Sequence, residues 1–382
     1  MMMENFASLA KEGVRMMAFL RDAMGSRWWV GGALLGCLLA IPAAWAQGMS
    51  SFDQTSAAAA SRTACASFQG RKLSLIVSNK PGGGFDLMAR TFGPFLEQHS
   101  GMSVAVSNVT GAQGMMAIRA VADARSDRPV VGLMGPGPLV NQYVTQASAL
   151  DWSRLSALGL MSTEYAVWLA RQPQSWLEVG TRRYLVTSSA SPSTMLGVPA
   201  HLLGLNFQPV LGYEGTSEAW LALLRGEIDV MTTSDQSARR TLAAGRQAVV
   251  SLTLTQTPHP DFPGVPHLAG RGGLVDLRTR DMAPARRKQL MEQAALAVTL
   301  SEQARMLLVS AKLPAPLQAC LRHASEAALF DPAFAEAAKR QKLVLEPEPA
   351  GRAQARMAVL QQLLEQHKEF LRSIAKAWTG AH

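Results

Sequence analysis

The sequence lacks the short motifs that identify the commonest classes of enzyme. None of its seven histidines lies in a His-Glu-x-x-His zinc pattern, and no Gly-x-Ser-x-Gly nucleophile elbow occurs. It also lacks a basic helix with interleaved aromatic residues and any zinc-finger or RNA-binding signature, so its net charge of +9 does not indicate nucleic-acid binding. We therefore predict a protein that is not an enzyme and that has no catalytic residues, no metal ligands, no cofactor and no nucleic-acid partner.

Cysteine is scarce, with three residues in the whole chain. Cys37 lies in an apolar run near the N-terminus, which leaves Cys65 and Cys320 in the remainder. In an oxidising compartment these two could form a disulfide, whereas free buried cysteines are also common in proteins. Their separation along the chain says nothing about their distance in space, so both alternatives stay open.

The first 46 residues have the features of a secretory signal peptide. A charged segment precedes the uncharged run WWVGGALLGCLLAIPAAWA, which ends in the small-residue pattern Ala44-Trp45-Ala46. We predict cleavage after Ala46 and export to the periplasm. The uncharged run is also long enough to remain as a membrane anchor, and the long charged segment leaves the true start codon open.

Beyond the signal, the hydrophobic pattern indicates an α/β protein. Residues 47–70 are rich in Ala, Ser and Gln without apolar periodicity and are predicted to form a flexible leader. From residue 72 onward, short β-branched runs alternate with helical patterns, which is typical of mostly parallel sheets. Strands are predicted over residues 72–78, 103–108, 129–134, 164–171, 184–189, 208–213 and 227–231. After the Pro- and Gly-rich stretch 257–273 we predict a mainly helical region that ends in one long helix over 351–378.

Two glycine-rich loops lie between a predicted strand and a predicted helix. The first, NKPGGGFDLMAR (79–90), lacks the Gly-Lys-Ser/Thr ending of a Walker loop, and Leu87 stands where a dinucleotide fingerprint needs glycine. Asp86 is predicted to be the N-cap of the helix that follows. The second loop, NVTGAQG (108–114), has the same position after the next strand. Two helix N-termini at one edge of a sheet would together attract an anion.

These loops and two segments downstream resemble a known family of receptors. The pair SNKPGGGFDLMAR and SNVTGAQGMMAIRAVADA is similar to the Pro-Gly-Gly loop closing in Asp and the Asn-x-x-Gly-Ala-x-Gly loop of tripartite tricarboxylate transporter substrate-binding proteins, the Bug-type extracytoplasmic solute receptors. LGYEGTSEAWLALLRGEIDVMTTSDQSA resembles that family's Tyr-x-Gly, Ala/Leu helix and Gly-x-(Ile/Val)-Asp-Val strand. FPGVPHLA resembles its Pro-x-x-Pro-Thr-Leu segment.

The resemblance implies two α/β lobes joined by a hinge, in the Venus-flytrap arrangement of type II periplasmic binding proteins. Lobe 1 would comprise residues 71–164 and 273–382, and lobe 2 residues 165–272. The family holds a carboxylate mainly through backbone N–H groups and water in the first two loops, and the opposite lobe adds polar groups. Carried over to this sequence, the ligand-binding residues are Gly82, Gly83, Gly84, Phe85, Asp86, Gly111, Ala112, Gln113, Gly114, Ser188, Ser189, Ser191, Ser193, Thr232, Ser234 and Asp235. Phe85, the glycine-poor loop SSASPS and His267 depart from the family pattern, which leaves the distal end of the ligand open.

Backbone donors, rather than a buried cation, are expected to hold the carboxylate. A buried Lys or Arg would be left with an unpaired charge in the empty protein. Lys80 is close enough to the first loop in sequence to be such a cation. We therefore expect that removing the Lys80 side chain weakens binding only modestly.

The resulting hypothesis is an exported, monomeric receptor that captures a di- or tricarboxylate between its lobes and delivers it to the membrane subunits of a tripartite transporter. The same receptor could instead present its ligand to a sensor kinase, or could have lost ligand binding. The sequence does not identify the acid.

Overall fold

The computed structural model describes residues 54–145, 151–177, 182–188, 193–210, 212–213, 216–245 and 247–379. The signal peptide predicted over residues 1–46 lies outside these ranges. Within them, no helix combines the length and the apolar character needed to cross a lipid bilayer.

The described residues contain eleven β-strands, which form two sheets. The strands are β1 (Lys72–Val77), β2 (Ser103–Asn108), β3 (Val130–Met134), β4 (Leu155–Glu164), β5 (Ala166–Ala170), β6 (Arg183–Ser188), β7 (Asn206–Pro209), β8 (Val230–Ser234), β9 (Val249–Thr253), β10 (Gln303–Ser310) and β11 (Glu348–Pro349).

The same part of the chain contains thirteen α-helices. The helices are α1 (Gln54–Cys65), α2 (Gly84–Ser100), α3 (Met115–Ala122), α4 (Gly137–Thr145), α5 (Val198–Leu203), α6 (Thr216–Arg225), α7 (Asp235–Ala244), α8 (Leu274–Arg278), α9 (Pro284–Ser301), α10 (Ala315–Leu329), α11 (Pro332–Arg340), α12 (Ala350–Gln366) and α13 (Lys368–Thr379).

Both sheets are mixed, so the prediction of mostly parallel sheets is wrong. The first sheet has the order β11-β4-β10-β3-β1-β2, and β10 runs antiparallel to both β3 and β4. The second has the order β7-β6-β8-β5-β9, and β5 runs antiparallel to β8 and β9. Strand β5 follows directly on β4 of the first sheet, and β10 is reached from β9 of the second sheet through helices α8 and α9. Neither strand is joined to a neighbour in its own sheet by a helical crossover, so the parallel direction that such crossovers impose does not apply to them.

Helices cover both faces of the first sheet because its strands carry apolar residues on both sides. Leu73, Leu75 and Val77 alternate along β1 and are buried with Phe92 of α2 in one core cluster. Ile76 points to the opposite face and belongs to a second cluster, which includes residues of α3. The second sheet has a smaller core cluster of its own around β5, β8 and α6. This alternation follows the two-residue period of a β-strand.

The first connection between the two sheets is very short. Strand β4 ends at Glu164 and β5 begins at Ala166, so Tyr165 alone connects the first sheet to the second. On the way back, Thr253 at the end of β9 forms an isolated bridge with His267. The carboxyl end of β8 also reaches this junction, because Ser234 pairs with Ala166.

Strands β7 and β8 of the second sheet, like β5 and β6, begin at other positions than the pattern predicts. Strand β8 begins at Val230 rather than at residue 227, because Gly226 ends α6 in the left-handed conformation (φ 77°) and the next residues complete that turn. It continues to Ser234, so Thr232 and Ser234 lie in a buried strand and not in a loop. Strand β7 begins earlier than predicted, at Asn206.

The C-terminal region is less helical than predicted. Strand β10 forms between two helices and occupies a central position in the first sheet. Its apolar run is too short to be distinguished by periodicity from a buried helix. The single helix predicted over 351–378 is two helices, α12 and α13, which are separated at His367.

Residues 54–65 form helix α1, so the prediction of a flexible leader over 47–70 is wrong for this part. The alanine-rich sequence has a high intrinsic helix propensity. Two hydrogen bonds dock the helix on the body: Gln54 donates to the Ala327 carbonyl at 2.9 Å, and the Ser61 hydroxyl donates to the His99 carbonyl at 2.7 Å.

A disulfide between Cys65 and Cys320 fixes the end of α1 to α10. The sequence alone did not show whether these two cysteines are paired or free, and the structure shows that they are paired. Both cysteines are fully buried, and the bond closes a loop of 255 residues in sequence separation. Such a long closed loop restricts the unfolded chain strongly.

We predict that the double variant Cys65→Ser/Cys320→Ser folds but is less stable than the wild type by about 2–5 kcal/mol, because the unfolded chain regains the entropy that the cross-link removes. Urea denaturation measures the difference. Dithiothreitol should lower the stability of the wild type toward that of the variant and leave the variant unchanged. Equal stability of the two oxidised proteins would contradict the prediction.

Candidate functional site

The first glycine loop turns the chain from β1 into α2. The helix begins at Gly84, and Gly83 is its N-cap, so the prediction of Asp86 as N-cap is wrong. Asp86 lies in the first turn, and its carboxylate accepts the Gly82 N–H at 2.9 Å. It also accepts hydrogen bonds from Arg90, at 3.0 Å, and Asn108, at 3.0 Å. The buried Asp86 carboxylate therefore links the loop, helix α2 and the end of β2 through hydrogen bonds.

This arrangement determines which backbone donors remain for a ligand. The Gly82 N–H is already bound to Asp86, so Gly82 offers no free donor. In contrast, helix geometry leaves the N–H groups of Gly84, Phe85 and Asp86 without intrahelical acceptors. These three groups form the positive end of the α2 dipole.

The second glycine loop lies beside the first at the same edge of the sheet. Strands β1 and β2 are parallel and pair up to Val77 and Asn108, where the loops begin. Asn108 connects the loops, because its side-chain amide donates to the Asn79 carbonyl at 2.9 Å as well as to Asp86.

The backbone of the second loop adopts positive φ angles at several residues. Its residues Gly111, Ala112 and Gly114 have positive φ angles of 117°, 47° and 91°, and Ala112, Gln113 and Gly114 form a 3₁₀ turn before α3. A Cβ atom at Gly114 would lie 2.7 Å from Cγ of Pro138. Glycine is therefore required at position 114 for both conformation and packing.

The serines and threonines predicted from the second lobe fall into two groups. Ser188 at the end of β6 pairs with Thr232 in the middle of β8, and the Thr232 hydroxyl donates to the Ser188 hydroxyl at 2.8 Å. Ser193 is buried, and its hydroxyl has no hydrogen-bond partner among the described residues. Ser189 and Ser191 lie outside the described residues.

Ser234 and Asp235 belong to the junction between the sheets. Ser234 is the N-cap of α7 and accepts the Ser237 N–H at 3.2 Å, and its hydroxyl also contacts the Glu164 carboxylate. The Asp235 carboxylate accepts the Tyr165 N–H at 3.3 Å and so fixes the link between the sheets.

A buried ion pair that the sequence did not predict lies beside these residues. Arg305 of β10 and Glu164 of β4 form an ion pair, and each side chain is only 1% exposed. The β4–β10 register shifts between Ala304 and Met306, so Arg305 lies at a bulge in the ladder. Bulges commonly redirect a side chain next to a functional site. Burial raises the pKa of the Glu164 carboxyl above its usual range, and the charge of Arg305 opposes this rise.

A second arginine, Arg240 of α7, meets Arg305 at the first glycine loop. A Cβ atom built on Gly84 would lie 2.7 Å from Nη2 of Arg305 and 2.9 Å from Nη2 of Arg240. The Arg305 guanidinium also lies over the Phe85 ring, with Cζ 5.1 Å from its centroid. Burial, and then the charge of Arg305, lower the pKa of Arg240, although Glu164 opposes this. The structure thus brings the predicted residues Gly84, Phe85 and Ser234 together around two arginines and a glutamate.

Lys80, the cation closest to the first loop in sequence, has a different partner. Its Nζ atom pairs with the Glu218 carboxylate of α6 at 3.0 Å, and both side chains are nearly half exposed. Exposed ion pairs of this kind contribute little to stability. The cationic side chains next to Gly84 are therefore those of Arg305 and Arg240, which are distant in sequence, and not that of Lys80.

One cluster has the residue types of a metal site. Potential ligand atoms of Asp235, His259 and Asp261 lie within 4.8 Å of one another. However, the Asp261 carboxylate contacts Arg239 at 2.7 Å, and the Asp235 carboxylate accepts the Gln236 N–H at 2.7 Å and faces His259 at 3.2 Å. These partners use the oxygens that a cation would need, so the cluster is better described as a charge network that holds the 259–261 loop against α7.

Asp86→Asn is predicted to lower the free energy of unfolding at pH 7 by about 1–3 kcal/mol, because it disrupts a buried, hydrogen-bonded carboxylate. Burial raises the pKa of Asp86, but hydrogen bonds from Arg90, Gly82 and Asn108 outweigh it and hold the folded pKa below the usual 3.8. The carboxylate therefore stabilises the fold above the unfolded pKa and loses this effect as the pH falls through the folded pKa.

Urea denaturation at several pH values tests this. The difference between wild type and Asp86→Asn should be largest near pH 7 and shrink below about pH 4. Asp127→Asn is a matched control, since that carboxylate is 58% exposed and pairs with the exposed Arg125. A difference that stays constant with pH would show that the carboxylate charge is not responsible.

Comparison with known proteins finds sequence similarity over about half of the chain. No protein-family model matches the chain. The chain is similar to the UPF0065 protein in the tcbD–tcbE intergenic region of Pseudomonas sp. (strain P51), with 25% identity over 221 residues, 54% of this chain. The match spans 65% of that protein's length, slightly less than two thirds.

Two solved structures are similar over most of the chain. MatC from Rhodopseudomonas palustris with bound malate has a TM-score of 0.57 and 19% identity, and the periplasmic binding protein BugD has a TM-score of 0.57 and 18% identity. Each similarity covers 80% of this chain and 98% of the other. These comparisons confirm the predicted α/β, two-lobed periplasmic-binding-protein fold, and they confirm the resemblance of this chain to the Bug-type solute receptors.

Proposed function

We propose that this chain is an extracytoplasmic receptor that captures a small di- or tricarboxylate between two lobes and delivers it to a membrane transporter of the tripartite tricarboxylate type. Its partners would be the acid and the membrane subunits of that transporter, and it would act as a monomer without catalysis. The fold supports this proposal, as does the malate bound in the similar MatC structure.

One observation carries the proposal: groups from the second sheet's helices meet the glycine loop of the first sheet. Arg240 of α7 lies against Gly84, and Glu218 of α6 pairs with Lys80. The meeting point has helix N–H donors, two guanidinium groups and an aromatic ring. Such a set suits a small organic anion.

The two separate sheets support a division of the chain into two lobes. Residues 71–164 and 273–382 would form lobe 1, and residues 165–272 lobe 2, with Tyr165 in the first connection. Such a short link suits a hinge, because a few residues at the ends of elements can absorb the change in angle.

Export is supported by the Cys65–Cys320 disulfide, since disulfides persist mainly in oxidising compartments. We predict a mature periplasmic protein that begins at Gln47 after cleavage behind Ala46. N-terminal sequencing of the protein from the periplasmic fraction measures this directly. A full-length chain found in the cytoplasm would contradict the proposed localisation.

A thermal-shift screen tests acid binding. Malate, adipate and citrate are offered at a range of concentrations, and at least one should raise the melting temperature. An acid present at 100 times its dissociation constant stabilises the protein by about 2.7 kcal/mol. The uncharged diamide of the same acid, adipamide in the case of adipate, serves as the control and should have no effect. If none of the acids shifts the melting temperature, the receptor proposal fails.

A further inference from the structure

Two arginines whose Nη2 atoms lie at the first glycine loop, Arg305 and Arg240, have other hydrogen-bond donors that are unsatisfied. Nε and Nη1 of Arg305, and Nη1 of Arg240, are buried and have no hydrogen-bond partner among the described residues. Arg305 is 1% exposed, so water cannot readily substitute for the missing acceptors. A buried charged donor without an acceptor is costly, and native proteins normally provide one.

Neighbouring groups of the protein account for only some of these donors. Glu164 contacts Nη2 of Arg305, and the Ser237 hydroxyl accepts from Nη2 of Arg240 at 3.0 Å. Asp235 does not supply the missing acceptor, because its oxygens face His259 and the backbone N–H groups of Tyr165 and Gln236.

Positive groups are concentrated at this point. The Nη2 atoms of both guanidinium groups lie next to Gly84, and each group carries a positive charge. Glu164 pairs with Arg305, and the carboxylates of Glu164 and Asp235 both act electrostatically on Arg240. The N-terminus of α2 adds a partial positive charge beside the two guanidinium groups.

We propose that Arg305 and Arg240 together bind a carboxylate of the ligand at the N-terminus of α2. This inference rests on the proposed function, and it names the groups that select an ionised acid. A guanidinium presents paired N–H donors that match the two oxygens of a carboxylate, and such charge-assisted hydrogen bonds are stronger than those from neutral backbone donors. One arginine comes from each side of the junction, so an acid bound here would connect the two lobes.

Gly84 is part of the same arrangement. A side chain at this position would occupy the space in which the two Nη2 atoms lie, 2.7 and 2.9 Å from a Cβ atom. The atoms that it would meet are the ends of flexible side chains, so Gly84→Ala should fold and displace the guanidinium groups. Acid binding should weaken while the secondary structure is retained.

The decisive experiment compares two adjacent arginines of α7. Arg240→Gln removes a guanidinium that faces Gly84, whereas Arg239→Gln removes one that pairs with the partly exposed Asp261. Both variants lose one positive charge from the same helix. Isothermal titration calorimetry is carried out with whichever of malate, adipate and citrate stabilises the wild type most.

For Arg240→Gln the dissociation constant should rise at least about 30-fold, the lower end of the range for losing one partner of a buried charge pair. For Arg239→Gln it should change less than about fivefold, as expected for a surface ion pair. Arg305→Lys, which keeps the charge next to Glu164, should also bind the acid more weakly. Circular dichroism and melting temperatures establish that each variant is folded.

The outcomes separate this inference from the proposed function. If the wild type binds an acid and folded Arg240→Gln and Gly84→Ala bind it equally well, the arginines are structural and the inference is overturned, while the receptor proposal stands. If Arg239→Gln loses as much affinity as Arg240→Gln, the effect is one of overall charge, and the inference is again overturned. If the wild type binds no acid, the proposed function itself fails.

Discussion

The buried ion pair between Arg305 and Glu164 is the interaction on which the site depends. Glu164 is the last residue of β4 before the chain leaves the first sheet, and Arg305 lies on the antiparallel strand beside it, at a bulge. Removing either partner would leave an uncompensated buried charge, which typically costs about 3–5 kcal/mol. The pair therefore fixes both the exit of the chain from the first sheet and the position of a guanidinium in front of α2.

This ion pair also explains how a receptor can keep arginines in its binding site. A single buried cation would be strongly unfavourable in the empty protein, and for that reason we expected backbone donors alone. Here Glu164 partly neutralises Arg305, and Arg240 approaches from a partly exposed helix. The empty site then keeps its arginines partly neutralised, and an ionised acid would supply the acceptors that their remaining donors lack.

Local features of the fold could be predicted from the sequence, and distant pairings could not. Strands β1 and β2 and both glycine loops were predicted correctly, because turn residues and alternating apolar residues act over a few positions. Strand β10 was missed because its neighbours in the sheet lie far away in the chain, and Arg305 was missed with it. The sequence also could not show that Cys65 and Cys320 are paired, because they too lie far apart in the chain. The apolar run around Arg305 was the one local signal, since an arginine inside such a run needs a buried partner.

A crystal structure of the protein with a bound acid tests the central claim most directly. The acid would be the one of malate, adipate and citrate that stabilises the protein most. The account predicts a carboxylate within hydrogen-bond distance of both the Arg305 and Arg240 guanidinium groups, with Gly84 next to it at the start of α2. A carboxylate held by the backbone of the second loop alone, with both arginines turned away from it, would contradict the account.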